Sequence, residues 1–302
     1  MTGAAPARYV WYDGEIRPGD EIALSVANHS LHYGLSVFEG VNAFPSDGGG
    51  HHLFRLGEHL SRLAASCALV GLRLPHPAEQ LSAGCHQVLD ANRLRRAYLR
   101  PIAFLGDGVL GLAPPDAAVH VAVLAFPTDV LDDVVRREAV RLTLSKVPRV
   151  SADAMPMKAK TAAGYLNSRI AILDAWQRGF HDALMLDDQG FVAECTVQNV
   201  FGVRARTLHI PVSDGALDGI TMASAVDLAA DLGYRVSHRR LTPNELLDCD
   251  SLCVASTAGG VRPVSVVDTH AYPTDSAVVA RLRSAYDDAE RGRHPGFRHW
   301  CS

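Results

Sequence analysis

The sequence lacks a strong charge of either sign: 29 Lys and Arg stand against 33 Asp and Glu, a formal net charge of −4. Without a basic excess there is no electrostatic footprint for nucleic acid or anionic lipid. Paired cysteine spacing is missing as well. Cys67, Cys85, Cys195, Cys249, Cys253 and Cys301 are scattered with no C-x-x-C pair, which removes the usual zinc and redox signatures and leaves six reduced thiols. Long apolar runs are absent: the longest, around Ala117 to Phe126, is too short to span a bilayer and is interrupted by His120. The opening stretch MTGAAPARYVWYDGE has no apolar signal core, so the chain is expected in the cytoplasm, away from membranes. There is no internal repeat and no low-complexity tract. What remains is an ordinary globular composition, 48% apolar over 302 residues. A chain longer than one core usually grows is expected to form two domains.

The first part mixes strands and helices, beginning with the strand-like YVWYDGEIR and its turn at Asp13-Gly14. In GEHLSRLAASCALVGL the residues Leu60, Leu63, Ala64, Cys67 and Ala68 recur at helical spacing, a stripe that leaves Arg62 outside. A second helix is expected over Ala78 to Ala91, followed by strands in AYLRPIAFL and AAVHVAVLAF. Pro127, Asp129, Asp132 and Asp133 then break the pattern. The expected division is therefore an N-terminal domain over 1–126, a linker over 127–134 and a C-terminal domain over 135–302. VRLTLSKV opens the second domain as a strand, and the helix beyond it ends at Gly179, a natural C-terminal cap. DALMLDDQGFVAE reads as a hairpin across Asp187 to Gly190, and QNVFGV and TLHIP continue a meander. A helix follows LDGIT and runs to Gly233; Thr242, Pro243 and Glu245 then resemble a capping box. SLCVAST is expected as a buried strand leading into Gly259-Gly260.

Three motifs fail on their context. GDGVLG (Gly106 to Gly111) matches a dinucleotide fingerprint in its letters, but the two prolines of LAPPD forbid the helix that would face a phosphate, so it reads as a glycine-rich loop. His51 and His52 on one strand point to opposite faces and do not share a metal. Glu58-His59 lacks the second histidine of H-E-x-x-H and reads as a solvated helix face; no metal site is expected.

MPMKAKTAAGYLNSR is different. Lys158 and Lys160 stand one residue apart, followed by small residues and Tyr165. A lysine among residues too small to cover it suits an amine that must meet a flat ligand. Pyridoxal phosphate chemistry needs such a lysine, a carboxylate or similar group at the ring nitrogen, and donors for the phosphate. Glu194 ends a hairpin strand, LDGIT precedes a helix, ASTAGG follows a strand, and Arg62 could add a charge-assisted contact. The residues alone leave both lysines open.

Six segments in order resemble the class IV aminotransferases of pyridoxal-phosphate fold type IV, most closely branched-chain amino-acid aminotransferases: SLHYGLSVFEG, FRLGEHLSRL, YLRPIAFLGDGVLGLAPP, ECTVQNVF, LDGIT and STAGGVRPV. The resemblance implies an α/β fold with a smaller N-terminal α/β domain and a larger, barrel-like C-terminal domain with flanking helices. In that family the Schiff-base lysine lies five residues before a tyrosine and 34 before a glutamate; 165 − 160 = 5 and 194 − 160 = 34, which selects Lys160. The resemblance further implies that Tyr165 meets the cofactor's ring oxygen, Glu194 its ring nitrogen, and Arg62, Ile220, Thr221 and Thr257 its phosphate. Small residues at 162 to 164 would leave the cofactor room. Tyr98 and Arg100 would bind substrate carboxylates, Tyr33 and Phe38 would line the side-chain pocket, and Thr257 and Ala258 would hold the α-carboxylate through their backbone. The implied partners are amino acids, 2-oxo acids and a second copy of the chain, in a ping-pong transamination with L-glutamate as donor.

The sequence departs from the family at Gly164, where an asparagine is usual, at Asn42, where a basic residue is common, near Leu131, where a loop tyrosine is expected, and at Gly259-Gly260. These positions belong to the pocket, so a specialised amino acid is one alternative substrate. The others are a lyase of the aminodeoxychorismate type and an inactive scaffold.

Overall fold

The computed structural model describes residues 5–108, 111–112, 117–128 and 139–302. They form two compact units that are not contiguous in sequence. One comprises Met1–Asp133, Ala159–Ala163 and Glu290–Ser302; the other comprises Val134–Lys158 and Gly164–Ala289. The expected division gave each domain one uninterrupted stretch, whereas the chain visits the first unit three times. Residues 129–134 of the expected linker, Leu131 among them, lie outside the described residues, as do Val109, Leu110 and the prolines after the glycine-rich loop.

The first unit is built on an antiparallel seven-stranded sheet. Its strands are β1 (Tyr9–Tyr12), β2 (Glu15–Pro18), β3 (Ser36–Phe38), β4 (Val41–Pro45), β5 (His51–Leu53), β6 (Ala97–Leu105) and β7 (Val119–Pro127). The order is β2-β1-β7-β6-β4-β5, with β3 also pairing with β6. Asp13 and Gly14 both take positive φ, 46° and 102°, the backbone of a tight hairpin turn. Three helices belong here: α1 (His29–Tyr33), α2 (Leu56–Leu69) and α3 (Ala78–Ala91), the last at the bounds its sequence pattern implies. One core gathers Leu60, Leu63 and Cys67 of α2, Leu81, Cys85, Val88 and Leu89 of α3, and Val37, Val41, Leu99, Val121 and Val123 of the sheet. Ala64 and Ala68, expected in that stripe, are exposed; Ser66 is buried instead. The strand-like run Ala97–Leu105 alternates buried residues with the half-buried Tyr98, Arg100 and Ile102, so the site residues stand on the face opposite to the helices.

The second unit carries a mixed nine-stranded sheet: β8 (Val140–Leu144), β9 (Asp182–Leu186), β10 (Val192–Cys195), β11 (Asn199–Arg204), β12 (Thr207–Pro211), β13 (Arg235–Arg239), β14 (Ser251–Ser256), β15 (Gly260–Val267) and β16 (His270–Ala271). Its order is β10-β9-β8-β15-β14-β11-β12-β13, with β16 on β15. Pairs β8/β9, β8/β15 and β12/β13 are parallel. The helices are α4 (Gly164–Gln177), α5 (Ile220–Asp231), α6 (Pro243–Leu247) and α7 (Ala277–Glu290). Thr242 and Glu245 cap α6 reciprocally, with Pro243 in its first turn. All six cysteines are free, and no helix among the described residues is long and apolar enough to cross a membrane.

Candidate active site

Within the first unit, Lys160 lies on a five-residue segment docked like a short strand. Phe38 N–H donates to the Lys160 carbonyl at 3.1 Å, Ala162 N–H donates to Ser36 O at 2.9 Å, and Thr161 forms an isolated bridge with Val37. On the other side, Lys160 N–H donates to Ser66 Oγ at 3.1 Å. The segment passes close to Gly34: a Cβ there would lie 3.3 Å from that of Ala163 and crowd it. Gly34 holds φ 70° and ends α1, which Asn28 caps at Ser30 N and Leu31 N; this short capped helix carries Tyr33, whose ring meets His29 and His32.

The Lys160 amine stands 5.3 Å from the centre of the Phe38 ring, and the Arg100 guanidinium stacks on the same ring at 4.6 Å and on Tyr98 at 5.5 Å. Arg100 Nη2 donates to Tyr98 Oη at 3.4 Å, while its Nε is buried with no hydrogen-bond partner. Tyr98 also explains a glycine. An ideal Cβ at Gly40 would fall 1.8 Å from the Tyr98 hydroxyl, so the interruption between β3 and β4 must be made by a residue without a side chain. Asn42 lies opposite Tyr98 in the ladder.

Sequence reading missed the centre of this unit. His59, expected on a solvated face, is 1% exposed, and Glu39 is 0% exposed. His59 Nδ1 donates to Glu39 Oε2 at 2.8 Å, and Arg62 donates through Nε to Oε1 at 2.6 Å and through Nη2 to Oε2 at 2.9 Å. Burial alone would raise the Glu39 carboxyl; the hydrogen bonds from Arg62 and His59 outweigh it and hold its pKa down at about 2. His59 is pushed below its ordinary value by its own burial, against the pull of Glu39 and with help from the charges of Arg62 and Lys160. The available signal was His59, Arg62 and Ser66 at i, i+3 and i+7, a polar row beside the apolar stripe.

The second unit brings the other named residues together. Glu194, 6% exposed, pairs with Arg149 Nη2 at 2.8 Å and accepts from Asn199 Nδ2 at 3.2 Å. Arg149 is itself buried and ties the carboxylate to Gly215 O and to Ser168 Oγ of α4. Asn199 also donates to Leu217 O, and its Oδ1 lies where a Cβ at Gly219 would stand, 1.8 Å away. Gly219 is the N-cap of α5, which starts with Ile220 and Thr221, has no side-chain cap and has no acidic residue in its first turn. Such a helix end presents unsatisfied N–H groups to an anion. Thr221 Oγ1 lies 3.4 Å from the hydroxyl of Tyr286, a buried residue of α7. The Tyr286 ring also backs Gly260, φ 63°, in the turn that holds Thr257 and Ala258. Tyr286 thus joins two segments that the sequence offered separately as phosphate donors.

Tyr165 is half-buried near the start of α4. Lys158, the rejected lysine, is at the surface and pairs with Asp218 at 2.8 Å. Among the described residues no cluster of His, Cys, Asp and Glu could hold a metal ion. His51 and His52 diverge as expected, one to His86 and the other to Glu290 O.

Residues 36–267 match the model of the amino-transferase class IV family. A branched-chain-amino-acid aminotransferase of Pseudomonas aeruginosa is 29% identical over 294 residues, 96% of this chain and 95% of that protein. A probable branched-chain-amino-acid aminotransferase of Rickettsia bellii is 32% identical over 262 residues, 86% of this chain and 87% of that one. Among solved structures, the T.th. branched-chain amino acid aminotransferase complexed with N-(5'-phosphopyridoxyl)-L-glutamate superposes with a TM-score of 0.92 at 35% identity, covering 98% of both chains. With the family model spanning both units and the six segments in their expected order, the chain belongs to the class IV aminotransferases.

Proposed function

We propose that the protein is a pyridoxal-phosphate-dependent aminotransferase that moves an amino group between L-glutamate and an apolar, branched-chain-like 2-oxo acid in a ping-pong cycle. Arg100 carries the substrate side of this reading. Withdrawing a guanidinium from water is costly unless it meets a carboxylate; Arg100 is half-buried with its Nε fully buried, and among the described residues it has no ion pair, only Tyr98 and the faces of Phe38 and Tyr98. A dicarboxylic donor supplies the missing anion, and the aromatic lining suits an apolar acceptor.

Each unit carries groups of the kind the cofactor needs: in the first an amine on a docked segment, in the second a buried carboxylate and an uncapped helix end with a glycine N-cap. By the family resemblance, Arg62, Ile220, Thr221 and Thr257 would hold the phosphate, Tyr165 the ring oxygen and Glu194 the ring nitrogen. When bound, pyridoxal phosphate supplies an electron sink that lets a proton leave the substrate's α-carbon. Lys160 is the residue whose amine would hold the cofactor, and the same amine would take and return the α-carbon proton. Glu194, its oxygens met by Arg149 and Asn199, would keep a proton at the ring nitrogen. Thr257 and Ala258 hold the α-carboxylate, and Tyr33, Phe38 and Tyr98 exclude water from the side-chain pocket.

The active form is a homodimer; the exposed Leu166, Ile170, Leu173 and Trp176 along α4 supply an apolar face for a second copy to cover. Six free thiols suit a reducing compartment such as the cytoplasm. Borohydride reduction of the loaded enzyme followed by peptide mapping should place the label on Lys160 and not on Lys158, and Lys160→Ala should lose both label and turnover. A label on Lys158 overturns the assignment.

A further inference from the structure

We propose that Glu39 is a positioning residue for the cofactor's phosphate: its carboxylate fixes Arg62 in one orientation relative to the backbone of Lys160, so that both ends of the cofactor meet a single rigid frame. The proposal rests on the reading of Lys160 and Arg62 given above.

The frame has three corners. Phe38 grips the Lys160 carbonyl through its backbone, and Glu39, the next residue, grips α2 through its side chain. α2 closes the triangle, because Ser66, one turn beyond Arg62, accepts the Lys160 N–H. Lys160 is therefore fixed to β3 on one side and to α2 on the other, and Glu39 locks β3 to α2.

The energetics favour orientation over stability as the reason for this cluster. A buried ion pair is replaceable by apolar residues of equal volume with little loss, so stability alone gives no cause to bury a carboxylate here. The bonding is also directional. Glu39 spans the Nε and Nη2 atoms of Arg62, which fixes the plane of the guanidinium. An arginine side chain carries substantial rotamer entropy, and immobilising it before the ligand arrives removes that cost from binding. His59 completes the clamp with one bond to the same carboxylate, and Gly40 N–H adds a longer one at 3.3 Å.

The test compares pyridoxal phosphate with phosphate-free pyridoxal on the full-length apoenzyme, reading dissociation constants from visible absorbance. Wild type, Arg62→Ala, Glu39→Gln and the double variant form a cycle. Glu39→Gln should weaken pyridoxal phosphate roughly tenfold, change pyridoxal by less than about twofold, and add little to Arg62→Ala in the double variant. Equal weakening of both ligands, or full additivity, overturns the proposal. If Glu39→Gln does not fold, Glu39→Asp gives the same reading: it keeps the charge and withdraws the carboxylate by one methylene, so selective loss of pyridoxal phosphate supports the frame and unchanged selectivity overturns it. If Arg62→Ala leaves the preference for the phosphate form intact, the phosphate role of Arg62 fails and this proposal with it. If Arg62→Ala removes that preference and Glu39→Gln does not, only the role of Glu39 fails.

Discussion

Two buried glutamates, one in each unit, are each paired with an arginine, and the roles proposed for them differ. Glu194 divides its oxygens, Oε1 to Arg149 and Oε2 to the neutral amide of Asn199 at 3.2 Å, and it stands near the end of a strand. Glu39 is gripped harder: Arg62 takes both oxygens, and His59 and Gly40 bond the same group. A carboxylate locked on both oxygens by one guanidinium serves to hold that guanidinium in place. Glu194 meets different partners at its two oxygens, Arg149 at one and Asn199 at the other, which suits the role proposed for it at the cofactor's ring nitrogen. The pairing with arginine is common to both, so it is how the second oxygen is held that separates the chemical role from the positional one.

The largest expected effect probes the positional side. With its pKa held at about 2 against an ordinary 4.5, Glu39 binds fewer protons folded than unfolded. Relative to the protonated group, the ionised carboxylate favours the folded state by on the order of 3 kcal/mol, a difference fully present above pH 4.5 and lost as pH falls toward 2. His59, whose pKa burial holds below its ordinary value, adds acid lability in the same direction. Urea unfolding from pH 7 to pH 3 should show the gap between wild type and Glu39→Gln closing in acid; a constant gap would mean that the carboxylate is not held ionised by its partners.

On the chemical side, Glu194→Gln should keep the bound cofactor and lose turnover by roughly 10²-fold, since a neutral amide supports a protonated ring nitrogen poorly. Spectra and single-turnover rates measured on the same preparation would blur the contrast between the glutamates if cofactor retention and rate fell together.

Arg100 extends the comparison as a guanidinium lacking, among the described residues, the carboxylate partner that Arg62 and Arg149 each have. Arg100→Ala should cost glutamate as donor about tenfold more in kcat/KM than it costs leucine, in line with one charge-assisted bond. Equal losses would remove Arg100 from the second-carboxylate site and the glutamate assignment with it.

The smallest effect belongs to Lys158. Its pair with Asp218 is at the surface, so Lys158→Ala should change stability by less than about 0.5 kcal/mol and leave most activity. Thermal unfolding and a steady-state assay check both numbers.

What the sequence made legible was local. The turn at Asp13-Gly14, the helix over Ala78–Ala91 and the Thr242 capping box each depend on a few neighbouring residues, and the structure has them where the pattern put them. The spacing of Lys160 to Tyr165 and Glu194 is likewise readable along the chain, although the structure divides those three between units. Glu39, His59, Arg149 and Tyr286 were not legible, because each takes its meaning from a distant partner. Arg149 meets a carboxylate 45 residues on (194 − 149), and Tyr286 meets a hydroxyl 65 residues back. A lone glutamate between Phe38 and Gly40, or a histidine one place off an apolar stripe, looks like surface until the helix is set against the sheet. Ser66 was hidden for the same reason: the bond that justifies its burial comes from residue 160.

The threading of the first unit bears on how the protein is made. Leu53 exchanges backbone bonds with Ser302, Arg55 N–H bonds Trp300 O, and Val37 bridges Thr161, so strands laid down early wait for segments synthesised much later. A ribosome that has delivered only the first 133 residues has a sheet whose β3 and β5 edges are uncovered, the kind of exposed edge that recruits other chains. The second unit, begun later, contains no residue made after 289. A truncation that spares every residue of the site but removes the last three residues would therefore leave Leu53 and Arg55 without these backbone partners.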